Sequence, residues 1–193
     1  MNLLVFDSKL PGSAVKTESI KEYDGEKFIE NVFYFTDGIM LSQIKEISGV
    51  DGTTLQNWVK RGWIGSTTNK KYSKNQLARI LIINMLRDVL HLQDIDFLLR
   101  YINGTINNEE DDIISEVKLY GYICRIIHSL SESEEIGMKE LKELIQLSVK
   151  DYVEKLSGAR KRLENALSII ITAYYSSLVR EQSTYLLQEI KNN

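Results

Sequence analysis

Apolar residues recur along this chain mostly at helical spacing, and the clearest local syntax falls between Leu41 and Arg87. Leu41, Ile44 and Ile47 share one face of a short helix predicted from Leu41 to Ser48, which Gly49 stops. Val50 is placed to tuck under the turn, and Asp51 offers a carboxylate to cap a second helix read from Thr53 to Arg61. Leu55, Trp58 and Val59 form the inward face of that second helix, leaving Thr53, Gln56, Asn57 and Lys60 together on the other side. Lys60 and Arg61 suit the negative end of its dipole, and Gly62 follows as its stop, with Trp63 and Ile64 anchoring the exit.

A polar excursion from Gly65 to Tyr72 then reads as a short wing carrying Lys70 and Lys71. Ser73 and Gln76 have the spacing of a capping box and open a helix with Leu77, Ile80, Leu81 and Asn84. Ile95, Leu98, Leu99 and Ile102 mark another helix, ended by Asn103 and Gly104. Farther on, Glu109 to Asp112 read as the acidic start of a helix carrying Ile113, Ile114, Val117, Tyr120, Ile123, Cys124 and Ile127. Ser131 to Glu135 form a polar acidic break. Met138, Leu141, Leu144, Ile145, Tyr152, Val153 and Leu156 begin a long helical pattern, divided by Ser157-Gly158. The final helix carries Leu163, Ala166, Leu167, Ile170, Ala173, Tyr174, Leu178 and Leu186, with Ile169, Ile171 and Tyr175 beside the stripe. Its width calls for more than one neighbour, either within a bundle or in a second subunit.

Before this series, Pro11-Gly12 and Asp24-Gly25 mark turns. Phe28, Ile29, Val32, Phe33 and Phe35 predict a short helix packed on the head, a core cluster rather than a ligand pocket. The predicted division is an N-terminal extension at 1–39, a head at 40–104 and a helical C-terminal region at 105–193 serving dimerisation or an effector. The fold class is all-α with a small wing.

Composition changes this picture in one respect. The 193 residues carry a net charge of −3, which argues against a uniformly basic coat. Yet no Asp or Glu occurs from Gly52 to Arg87, where Lys60, Arg61, Lys70, Lys71, Lys74, Arg79 and Arg87 cluster. Asn and Gln pair with adenine edges in the major groove, whereas lysine reaches phosphate. Gln56 and Asn57 are therefore the candidate base readers, Thr53 and Thr54 the helix positioners, and Lys60, Lys70 and Lys71 the phosphate contacts. Arg61 and Tyr72 complete the expected DNA-binding set.

The order of parts over roughly residues 40–102 resembles the winged helix-turn-helix head of the MerR family of bacterial transcription regulators, with Gly49-Val50, Thr54-Leu55, Gly62 and Tyr72-Ser73 in register. More narrowly, the runs Thr54 to Trp63 and Lys71 to Ile80, continued by Asn84 to Asp88 and Tyr101 to Gly104, are similar to an uncharacterised bacterial MerR-like family, domain of unknown function 1836. The resemblance implies a winged helix-turn-helix fold and DNA binding. The reading helix departs from the Arg-Tyr-Tyr common among classical members, placing Gln56, Asn57 and Trp58 there.

Other chemistry is poorly supplied. Cys124 and His128 stand four apart, and His91 would add a third ligand, but zinc wants about four, and a cysteine among isoleucines fills a core. His91 suits a helix cap. No nucleophile, base and orienter assemble, so neither an enzyme nor a cofactor or metal is expected. One cysteine, a start at Met1 to Phe6 unlike a secretory signal, and an apolar run at Ile169 to Tyr175 too short for a membrane imply a cytoplasmic chain. The expected partners are double-stranded DNA and a second copy, and the distal helices leave room for a small-molecule or protein effector. The alternative is a protein-interaction adaptor that keeps the scaffold without binding DNA.

Overall fold

The computed structural model of the chain describes residues 9–16, 23–106, 108, 110–132 and 137–192. Met1 to Phe6, Glu109 and Ser133 to Glu135, all used in reading the sequence, lie outside these. The described chain is mostly helical, with one two-stranded sheet. Helix α1 spans Gly25–Val32, β1 Ile39–Met40, α2 Leu41–Ser48, α3 Gly52–Lys60, β2 Lys71–Tyr72 and α4 Lys74–Leu86. After these come α5 at Leu92–Asn103, α6 at Glu116–Ser131, α7 at Met138–Ser148 and α8 at Ala159–Asn192. No helix among the described residues is long and apolar enough to cross a membrane.

Local chemistry sets the ends of the short helices. Gly49 closes α2 at φ 72°, a left-handed conformation that costs glycine little, and its N–H donates to Lys45 O at 2.8 Å. Asp51 caps α3, and Ser73 with Gln76 forms the reciprocal box at the start of α4: Gln76 N donates to Ser73 Oγ at 3.3 Å and Ser73 N to Gln76 Oε1 at 2.8 Å. His91 occupies the cap position of α5, but its side chain makes no capping bond and only its carbonyl receives the first helical N–H groups.

α4 is the axis of the core. Leu77 through Ile83 are buried without a break, since α1, α2, α5, α6 and α8 all pack against it. Asn84, farther along, donates from Nδ2 to both Gly12 O (2.8 Å) and Ser48 O (3.0 Å) and so fixes the end of α2 on the axis. A single cluster of buried apolar side chains runs from Leu10 through the α2–α3 pair to Leu178.

Four sequence expectations are corrected. The extension helix α1 touches the head at α4 but packs chiefly on α6, which lies beyond the head. Glycines permit that approach: a Cβ on Gly121 would lie 2.8 Å from Glu26 Cβ, and one on Gly25 2.5 Å from Cys124 Sγ. The exposed ring of Phe35, 94% accessible, takes no part in the core assigned to it.

Second, the acidic stretch does not begin a helix. Ser115 caps α6 instead, accepting from Lys118 N at 3.2 Å, while Ile113 and Ile114 are buried as loop anchors. Asn103 Oδ1 accepts from Ile114 N at 3.4 Å, and Tyr152 donates its hydroxyl to Ile113 O at 3.1 Å. Third, the pattern starting at Met138 breaks at Ser148, and Arg160 crosses over to donate to the carbonyls of Val149 and Tyr152 just beyond the end of α7. Val153 and Leu156, expected on its apolar stripe, are exposed.

Fourth, Arg79 does not belong to a cationic surface. It is 5% exposed and donates from Nε to Trp63 O (2.6 Å), from one terminal nitrogen to Glu116 (2.6 Å) and from the other to Asp96 (3.3 Å). Lys74 is also occupied, by Glu30 at 2.9 Å.

Candidate nucleic-acid interface

The face identified from the sequence rests on α3, whose start is held by one carboxylate. Asp51 Oδ1 accepts from Thr54 N at 2.9 Å and Oδ2 from the Thr54 hydroxyl at 2.6 Å. These bonds, the hydroxyl's first and the backbone's second, hold the Asp51 carboxyl below its ordinary pKa. Thr54 therefore acts on the helix through its cap, its hydroxyl committed to Asp51. Leu55 and Trp58 are buried, and that anchors the roll of α3: Thr53, Gln56, Asn57 and Lys60 come out together in solvent. Among the described residues the Gln56 and Asn57 side chains make no hydrogen bond to the rest of the head.

At the C-terminal end, Arg61 N donates to Asn57 O at 3.0 Å and Trp63 N to Trp58 O at 3.0 Å, folding the chain back under the helix. The Arg61 guanidinium lies over the Trp63 ring, 5.2 Å from its centroid, exposed but held in place.

The expected wing is a hairpin with an unusual tip. Thr68 pairs with Lys71, and Lys71 N donates to Thr68 O at 2.9 Å across Asn69 and Lys70. Both tip residues have positive φ, 52° and 59°, as a two-residue turn of type I′ demands. Asparagine tolerates that conformation, and glycine is the usual second residue. A lysine there carries backbone strain while presenting its ammonium at the tip.

β2 then pairs antiparallel with β1, Ile39 opposite Tyr72 and Met40 opposite Lys71. This short strand before α2 was not read from the sequence, since two residues carry no alternation. Alternation about the pairing turns Lys71 outward and Tyr72 inward. Tyr72, expected on the contact face, is 4% exposed, and burial raises its hydroxyl pKa. Its ring ties the sheet to the core.

Two further cations border the face: Lys45, which the sequence reading did not single out, and Arg87, which it counted in the basic stretch without giving it a contact. Lys45 projects from α2 with its Cδ beside Gly52, at the start of α3. Arg87 lies over the Trp58 ring at 5.8 Å. The available signal for each was only a basic residue one helix away, which becomes informative once the helices are packed.

The cysteine and histidines do not converge. Cys124 is fully buried beside Tyr120, and burial pushes its thiol pKa well up, whereas His128 is half-exposed and stacks on the Tyr23 ring at 4.9 Å.

Comparison with known proteins brings two matches. The family model described as a domain of unknown function (DUF1836) matches residues 18–123, more than half of the chain. The uncharacterized protein YkrK of Bacillus subtilis (strain 168) is 28% identical over 128 residues, which cover 64% of this chain and 55% of that protein. The chain thus spans about half the length of the curated relative it matches. No solved structure matches.

Proposed function

The chain belongs to the family of the domain of unknown function DUF1836, and from that premise we propose that it is a non-enzymatic, sequence-specific DNA-binding transcription regulator with a MerR-like winged helix-turn-helix head. The observation that carries the reading is the shared exposure of Thr53, Gln56, Asn57 and Lys60 on α3, flanked by a hairpin tip of Lys70 and Lys71. The order β1, α2, α3, hairpin, α4, α5 supports the likeness to MerR heads. In this reading residues 40–104 do the DNA contact, in the cytoplasm.

Gln56 and Asn57 read base edges, Thr53 lies against the backbone, and Lys60, Arg61, Lys70 and Lys71 meet phosphates, with Lys45 and Arg87 at the margins. Competition binding at two salt concentrations tests this division. Gln56→Ala or Asn57→Ala is expected to erase sequence preference at a cost of about 1–3 kcal/mol per base contact, leaving random DNA bound as before. Lys71→Ala and Lys70→Gly are expected to weaken all DNA alike and lower the salt slope by about one unit per phosphate contact. Lys70→Gly, by relieving the turn, should also raise stability by about 1 kcal/mol. Amide variants with full preference and lysine variants with the parental slope would transfer the reading to a protein-interaction adaptor.

A homodimer fits the same regulator. Leu163, Ala166, Leu167, Ile170 and Leu178, assigned to the stripe from sequence, are consumed by the chain's own core. Another row on α8 is open to solvent: Ile169, Thr172, Ser176, Val179, Ser183, Leu186 and Ile190, spaced alternately three and four. That is the period of a coiled-coil seam. Sedimentation should find a dimer, and Leu186→Lys with Ile190→Lys should make it monomeric with its helix content kept. A parental chain that sediments as a monomer at high micromolar concentration would remove the dimer and leave the DNA face standing.

A further inference from the structure

Beneath the wing lies a cleft of about 200 Å³ that the DNA reading does not use. Its walls come from three places: the loop leading to the hairpin (Ser66, Thr68), the first turn of α4 (Gln76), and the end of α5 with the start of α6 (Asn103, Thr105, Glu116). Two of these lining residues are more than nine-tenths buried and incompletely bonded. Glu116 gives Oε1 to Arg79, but its buried Oε2 has no hydrogen-bond partner among the described residues. Asn103 gives Oδ1 to Ile114 N, and its buried Nδ2 is likewise without one. A buried polar group left unbonded costs roughly 1–3 kcal/mol, so an unbonded acceptor and an unbonded donor on two residues lining one cleft favour a guest that can reach them.

We propose that this cleft binds a small neutral polyhydroxy compound, a monosaccharide or polyol, and that its occupancy stiffens the base of the wing. The chemistry of the lining selects the class. A hydroxyl both donates and accepts, so a polyhydroxy compound can answer a carboxylate oxygen and an amide nitrogen on the same cleft. Among the described residues no aromatic ring lines the cleft, so a nucleobase finds nothing to stack on. Arg79 is the one cation among the described lining residues, and that guanidinium is spent on Trp63 O, Glu116 and Asp96, so a phosphate or carboxylate ligand meets no available charge. The volume is below the roughly 300–1,000 Å³ of pockets for drug-sized ligands, which limits the guest to monosaccharide dimensions.

The link to the wing is covalent chain plus one side chain. Gln76 Nε2 donates to Gly65 O (2.6 Å) and Ser66 O (3.1 Å), while its Oε1 is held by Ser73 N. A guest touching Gln76 and Ser66 therefore bears on the loop that ends at Asn69 and Lys70.

The test uses the full chain without DNA, so it fails or succeeds independently of the DNA reading. Nitrogen-15-labelled protein is titrated separately with D-ribose, D-glucose and D-mannitol into the millimolar range, followed by amide shifts and calorimetry. At least one should bind saturably, shifting the Asn103 side-chain amide, the backbone of Gly104 and Thr105, and the tip amides of Asn69 and Lys70. Ser66→Trp, an exposed rim position, should weaken that binding by at least an order of magnitude while leaving the rest of the spectrum in place. Thr105→Trp from the opposite wall should do the same. No saturable shift with any of the three, meaning a cleft filled by water alone, overturns the proposal, as does binding that survives both tryptophans.

Discussion

Replacing Arg79 with methionine is expected to remove about 3–5 kcal/mol of stability, the largest loss from any single polar change in the chain. The size follows from where its partners are left. Glu116 is 10% and Asp96 17% exposed at the side chain, so removing the guanidinium strands a nearly buried carboxylate and a partly buried one, and also the Trp63 carbonyl. Asp96 keeps Arg100 at 2.7 Å, so the main penalty falls on Glu116. Arg79→Lys should rescue little, since a single ammonium cannot reach three acceptors set around a planar fork. Arg79→Met combined with Glu116→Gln should recover part of the loss, because the stranded charge is then gone. Urea unfolding reads all three variants as shifts of the midpoint. A loss below about 1 kcal/mol for Arg79→Met would mean that water relaxes the site, in the manner of a surface pair.

Trp58→Ala is the second large effect, with an expected cost of about 3–5 kcal/mol. The ring is 2% exposed and is both the inward anchor of α3 and the platform for Arg87. Its loss opens a cavity under the reading helix, so binding to preferred and random DNA should fall together with thermal stability. Asn57→Ala, one residue away on the exposed side, should keep the parental melting curve. Trp63 remains as a fluorescent reporter of the neighbouring turn. Trp58→Ala that melts like the parent but has lost only sequence preference would place the indole on the contact face and reverse the assigned roll of α3.

How much was legible depends on the distance over which each feature is decided. Leu41–Ser48 was read with both ends correct, and the turn after it was legible because Gly49 closes α2 on Lys45 O and Asp51 caps the start of α3, each acting on backbone groups within four residues of itself. The Ser73–Gln76 box was equally legible. Tyr72 and Arg79 were misplaced for a common reason: each was assigned to the surface by chemical type, while its side is set by partners elsewhere, Ile39 across a two-residue ladder and Glu116 on another helix. Lys45 escaped notice on the same grounds, and Arg87, counted in the basic stretch, was given no place beside α3.

The sequence by itself determined the helical character of the chain, the turn between α2 and α3, and which residues of α3 share a side, because these follow from spacing and caps within a few residues. Only the tertiary structure decided which cations are available, by drawing Arg79 inward and pairing Lys74 with Glu30. It also decided which stripe of α8 is used up and which stays open, since both have helical spacing and only packing against α4, α5, α6 and α7 separates them. The cleft under the wing is of the same kind. Ser66, Gln76, Asn103 and Glu116 are ordinary polar residues along the chain, and they line one cleft because α4, α5 and α6 bring them to one place, with two of their polar atoms unbonded among the described residues.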